Sequence, residues 1–208
     1  MSIRTIAIGI GVLLLVLLTA GCIETLFPPA KNEFHIHADI AIYLNGQKVN
    51  LAQEKYMSDA NHALNPFTHL HDMDGNVVHV HARNVSMGMF LESIGMKLEK
   101  ECFTMDTGEK YCSNDANKLY VWINGAPEKI FVNGAIIENP ADYVMQDLDQ
   151  ILITYGNETL AEQNNQFDSV TDNACIDSKK CPERGDPADE GSCTTGSGCD
   201  AGPIKTGP

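Results

Sequence analysis

The chain has 208 residues, with 28 acidic side chains against 14 Lys and Arg and a net charge of −14. That balance argues against nucleic-acid binding, which needs a basic face, and it repels anionic lipid headgroups while concentrating cations. A 43% hydrophobic content over this length suits one folded domain with a sizeable core.

In chain order, the first element is a targeting segment. One early positive charge, Arg4, precedes an apolar run from Ile6 to Ala20, followed by small residues and Cys22. The run is 15 residues long, short of the roughly 20 that a membrane span needs, and the layout is that of a secretory signal. Leu18-Thr19-Ala20-Gly21-Cys22 resembles the lipobox of prokaryotic lipoproteins, with Thr19 where that pattern more often has Leu. The resemblance implies a signal peptide over residues 1–21 and lipid on the Cys22 sulfur. An uncleaved N-terminal anchor is the alternative. Both place the protein on the extracytoplasmic face of the cell membrane. Residues 22–33 form a short tether broken by Pro28-Pro29.

Residues 34–156 carry alternating apolar patterns and Asn-Gly turns, the signature of paired strands. HIHADIAIYLNGQKVNL predicts a strand, a turn at Asn45-Gly46 and a second strand; THLHDMDGNVVHVHA predicts a second hairpin. SMGMFLESIGM predicts a short helix with Ser86 as its N-cap and Gly95 as its stop. Met87, Met89 and Met96 there are read as helix core rather than a copper(I) thioether site. Further strands follow, with turns at Asn124-Gly125 and Asn133-Gly134 and a closing strand from Gln150 to Tyr155. The expected fold is α+β: a small, mostly antiparallel sheet of hairpins with one short helix. The closing strand after a short acidic turn resembles ubiquitin-like β-grasp domains.

From Asn157 the apolar content falls, and Gly, Ser, Asp, Asn and Pro take over. This reads as an acidic tail over 157–208, largely disordered apart from its cysteines. Of the seven cysteines, a lipidated Cys22 leaves six, which an oxidising compartment would pair. Cys102 and Cys112 suit a local bridge. Cys175, Cys181, Cys193 and Cys199 form two Cys-x5-Cys copies, whose pairing stays open. A four-thiolate metal site is the alternative, though the spacing is not Cys-x2-Cys.

Six of the seven histidines stand in His-x-His dyads: His35 and His37, His69 and His71, His79 and His81. Residues two apart on a strand share a face at about 6.6 Å, so each dyad is a preformed half-site for an ion held at about 2.0–2.1 Å from each nitrogen. The register of the second hairpin decides whether its dyads converge. A two-residue Asp74-Gly75 loop would turn them to opposite faces. A three-residue Met73-Asp74-Gly75 loop, with Gly75 at positive φ, pairs Asp72 with Asn76 and sets His69 opposite His79. The second register also sends Leu70, Val78 and Val80 together toward a core, and it is the expected one. Asp72-Met73-Asp74-Gly75-Asn76 is not a calcium loop, because its twelfth position is Arg83 where Glu is required. All six dyad histidines are candidate ligands. Imidazole ligation suits copper or zinc, with Asp39 and Asp72 as outer partners of the rings. A pH-sensing histidine cluster is the alternative.

HIHADIAIYLNG, HLHDMDGNVVHVHA, MGMFLESIGMKL, WINGAPEKIFVNG and LDQILITYG together resemble a family of small secreted prokaryotic His-x-His domains, over residues 34–156. His35, His37, His69, His71, Asp72 and His79 match its recurring positions; at His81 relatives often have Glu. Some members carry the label protein-disulfide isomerase, which implies thiol–disulfide activity, but no Cys-x2-Cys is present here. The residues themselves favour a metal-binding lipoprotein that scavenges, buffers or delivers copper or zinc, exchanging it with a donor or acceptor protein. A metal-dependent enzyme stands second, since no general base such as that of His-Glu-x2-His is visible. A thiol–disulfide protein using Cys102 and Cys112, and an adhesion module with a structural metal, are further alternatives.

Overall fold

The computed structural model describes residues 34–59, 64–125, 131–132, 135–136 and 138–187. The signal segment, the tether, Cys22, the Asn133-Gly134 turn, Cys193 and Cys199 lie outside the described residues.

The strand of the first dyad, β1 (Ile36–Leu44), is flanked by a two-residue β2 (Gln47–Lys48) across Asn45 and Gly46, both at positive φ. The second hairpin is β3 (Thr68–His69) and β4 (Val77–Val80). Helix α1 (Met87–Ser93) follows, its first turn closed by the Ser86 hydroxyl accepting from Met89 N, and Gly95 at φ +78 ends it. Strands β5 (Lys97–Leu98), β6 (Cys102–Thr104) and β7 (Lys110–Cys112) make a separate three-stranded sheet. Cys102 and Cys112 face each other across it and are joined by a disulfide. Then come β8 (Lys118–Ile123), the paired β9 (Phe131–Val132) and β10 (Ala135–Ile136), and β11 (Gln150–Gly156).

The main sheet has the order β3–β4–β1–β11–β8, with β2 on β1. Its pairs are antiparallel except β1 with β11, the parallel pair at the centre. Among the described strands, the first and the last thus lie parallel and side by side. The α+β class expected from the pattern therefore holds. Strand alternation sorts the sheet's two faces. One carries Ala38, Ile40, Ile42, Leu70, Val78, Val80, Ile151 and Ile153 into the main core, with Met87, Phe90 and Leu91 of α1 in the same cluster. Met96 is in that core too, whereas Met89 is exposed.

The other face of the sheet corrects the expected tail. Residues 157–187 are folded, not disordered. Helix α2 (Leu160–Phe167) opens with a reciprocal capping box between Thr159 and Glu162. Trp122 and Leu152 on the sheet form a second apolar cluster with Ala41 and Val170, and Phe167 packs against it. Phe167 stacks on Trp122 with ring centroids 5.8 Å apart. The polar side chains that lower this segment's hydropathy are partnered here: Trp122 Nε1 donates to Gln163 Oε1 at 3.3 Å, and Thr154 Oγ1 donates to Gln166 Oε1 at 2.7 Å. The short helix α3 (Ala174–Asp177) continues the cover, and Cys175 is bridged to Cys181.

Candidate metal centre

The ladder between β1 and β4 sets His37 opposite His79, and the ladder between β4 and β3 sets His79 opposite His69. The register expected from the apolar pattern is therefore the observed one, and three imidazoles run in a row across three strands. The turn is built differently from expectation, however. His71 O accepts from Asp74 N, and the positive φ values fall on Asp72 and Met73 rather than on Gly75. Glycine is needed at position 75 for another reason. A Cβ there would stand 2.4 Å from the backbone nitrogen of Ala52.

Just beyond the strand ends, the other member of each dyad extends the row. His35 lies over His81, with ring centroids 4.3 Å apart, and His81 lies over His69 at 4.9 Å. His35, His37 and His79 form the tightest group: one ring nitrogen of each lies within 4.8 Å of the others, close enough that the three could hold one metal ion. His37 and His79 are buried and His35 is half-buried. The structure thus gathers all six candidate histidines and singles out these three; His69, His71 and His81 surround them.

Two hydrogen-bond chains fix which nitrogen each ring presents. Ser178 Oγ donates to Asp147 Oδ1 at 2.5 Å and lies 2.8 Å from His37 Nδ1. Its one proton being used, the hydroxyl accepts from His37 Nδ1–H, which is the tautomer whose lone pair sits on Nε2. On the other side, Asp72 Oδ2 lies 2.9 Å from His71 Nδ1, and His71 Nε2 lies 3.2 Å from His79 Nδ1. With the carboxylate accepting from His71 Nδ1–H, His71 Nε2 accepts from His79 Nδ1–H, the tautomer in which the His79 lone pair likewise sits on Nε2. Such outer partners orient a ligating imidazole and raise its basicity. Ser178, His37 and Asp147 are not a nucleophilic triad, because the hydroxyl sits between the ring and the carboxylate instead of at the end of the relay.

Asp72 stands where an outer partner was expected, beside His71. Asp39 does not. Its Oδ1 accepts from the Thr171 hydroxyl and from Asn173 N at 2.9 Å, and its Oδ2 from Ala174 N at 3.0 Å. It anchors the C-terminal segment to the centre of the sheet. Burial pushes its carboxyl up from the ordinary value, and these three hydrogen bonds pull it back only in part. Asp147 and Ser178 were not anticipated. Burial would raise the Asp147 carboxyl, but Lys180, the Ser178 hydroxyl and the His37 N–H together hold it below the usual range. The Asp147-Leu148 turn also grips the His37 backbone: His37 N donates to Asp147 Oδ1 at 3.1 Å, and Leu148 N donates to His37 O at 2.8 Å.

No family model, curated protein or solved structure matches this chain. Among the described residues no helix is long and apolar enough to cross a membrane.

Proposed function

We propose that this protein is a lipid-anchored, extracytoplasmic metal carrier in which His35, His37 and His79 bind one copper or zinc ion. The convergence of three ring nitrogens within 4.8 Å carries the reading. The two relays add to it, since hydrogen bonds on Nδ1 of His37 and His79 would orient both rings as ligands. An all-nitrogen set favours copper and zinc over magnesium or calcium, which take oxygen ligands. The lipobox-like ending at Cys22 supplies the tether, and a donor or acceptor protein exchanges the ion. Three imidazoles with a fourth position open would also suit a metal-dependent enzyme. The neighbouring groups that hydrogen-bond the rings are committed to the relays, which favours the carrier.

Elemental analysis of the purified protein, as isolated and after loading with copper or zinc, tests the site. One equivalent in the parent, absent from a His37→Ala/His79→Ala variant, is expected. Binding should weaken below about pH 6, since ligation needs neutral imidazole. A chelator should strip the ion with the circular dichroism spectrum unchanged; collapse of the fold on stripping would assign a structural metal. No metal in the loaded parent overturns the proposal. For the anchor, a Cys22→Ala variant should leave the membrane fraction or lose lipid label, and retention of both would sink the lipobox reading.

A further inference from the structure

We infer that Ser178 is a positioning residue for the His37 ligand, and that the Cys175–Cys181 disulfide, by closing the loop that carries Ser178, makes metal affinity responsive to thiol reductants. The inference rests on the carrier reading of His37.

Ser178 reaches His37 from 141 residues downstream, so its position depends on whatever holds its own segment. Helix α3 has four residues, too few to be stable alone. Three attachments hold the loop. Asp39 accepts from the backbone at the start of α3. Lys180 pairs with Asp147, the carboxylate that also receives the Ser178 hydroxyl. The disulfide joins Cys175 to Cys181, with Cα atoms 5.5 Å apart. Between the cysteines the chain reverses through Lys179 at φ +56, and Lys180 N donates to Cys175 O at 2.8 Å. A non-glycine residue in the left-handed region persists when its surroundings impose it, and the bridge is the covalent part of that constraint.

Reduction opens the constraint. A dithiol or a pair of monothiols supplies two electrons and two protons, the sulfur–sulfur bond breaks to give two cysteine thiols, and the reductant leaves as its disulfide. Arg184 Nη1 lies 3.4 Å from Cys175 Sγ, a cation that favours thiolate on that sulfur and so favours its departure. With the bridge open, Ser178 is left to the Asp39 and Lys180 attachments alone, and its hold beneath His37 loosens. The ring then loses a fixed acceptor for Nδ1–H and also populates the tautomer with its proton on Nε2, in which Nε2 has no lone pair for the ion. Loss of such an outer partner lowers metal affinity by roughly 10–100-fold. The Cys102–Cys112 bridge belongs to the separate three-stranded sheet and serves as the control.

The test uses the full-length chain and zinc, with chelator competition giving affinity and nitrogen-15 NMR of the metal-free protein giving the His37 tautomer. Ser178→Ala and Cys175→Ser/Cys181→Ser should each weaken zinc by about 10-fold or more. Ser178→Thr should restore it to near the parent, and Cys102→Ser/Cys112→Ser should leave it unchanged. Serine replaces cysteine so that freed thiols cannot themselves bind zinc. In the metal-free parent, a single Nδ1–H tautomer should become mixed on reduction with a trialkylphosphine, and also in Ser178→Ala. An affinity for Ser178→Ala within twofold of the parent, or a tautomer indifferent both to that substitution and to reduction, overturns the inference. Should the parent bind no zinc, the carrier reading fails on its own and the tautomer decides the role of Ser178.

Discussion

Asp39→Ala probes the point where the C-terminal segment meets the sheet. Asp39 sits on the central strand β1, paired with Val77 on one side and Gln150 on the other, and is 1% exposed. Its carboxylate is the acceptor for the Asn173 and Ala174 N–H groups. Truncation to alanine leaves both donors without that partner. A buried donor left unsatisfied costs about 1–3 kcal/mol, so the pair sets a loss of about 2–6 kcal/mol if the segment stays in place. If that exceeds what holds the segment down, the segment releases instead and water satisfies the donors, so the measured loss is the smaller of the two. Asp39→Asn keeps the shape and one acceptor oxygen but turns an amide N–H₂ toward a donor. It also removes a buried charge whose desolvation opposes folding. Its loss should be roughly half that of the alanine variant.

Urea denaturation gives the free energies, and hydrogen–deuterium exchange over residues 157–187 shows whether the segment has opened. Asp39→Ala should speed exchange there while leaving β4 and α1 protected. An alanine variant within about 0.5 kcal/mol of the parent, with unchanged exchange, would refute the idea that Asp39 is the anchor.

Gly75→Ala should destabilise by about 1–3 kcal/mol or more, because the new methyl meets backbone rather than a flexible side chain; a neutral urea midpoint would show that the approach of Ala52 can relax. Asp106 accepts from Lys55 Nζ at 2.6 Å and from Tyr56 OH at 2.9 Å, and the Lys55 hydrogen bond leads in holding its carboxyl below the ordinary value. A depressed carboxyl contributes stability above its unfolded value of about 3.9 and loses it as pH falls through the folded value. Asp106→Asn should therefore be less stable than the parent at pH 7, with the gap closing below about pH 4; a gap of constant size down to pH 2 would show that the pairing is not the cause.

The hairpin register could be read from the chain because two constraints agreed. The dyads had to share a face, and Leu70, Val78 and Val80 had to share the other. The turn itself could not, since positive φ is open to Asp and Asn as well as Gly, and Gly75 answers to a segment more than twenty residues away. The C-terminal segment was missed because composition averages over residues that act singly. Gln163 and Gln166 read as solvent-loving, yet each is buried against one named partner on the sheet. Two local signals pointed the other way. Thr159-x-x-Glu162 is a capping-box sequence. The consecutive Ile151-Leu152-Ile153 shows a strand with apolar residues on both faces, which requires cover on both. No local signal could place Ser178 against His37, because that contact depends on where an entire folded segment docks.

The layout of β1 bears on whether metal would be cargo or scaffold. After His35, which directly precedes this strand, the side chains along one of its faces run His37, Asp39, Ala41 and Tyr43, so ligand, segment anchor and apolar packing succeed one another on one element. Of the proposed ligands, His37 lies on that strand, His35 directly precedes it, and His79 is set opposite His37 by the β1–β4 ladder. The ladder is held from the opposite face by the main core. None of these constraints involves an ion, so on the carrier reading binding would not have to spend free energy on assembling the site. A metal at a hundred times its dissociation constant would still add about 2.7 kcal/mol to stability by mass action. On the carrier reading that increment would be lost on release while the core still held the strands together, whereas a structural metal would take the fold with it.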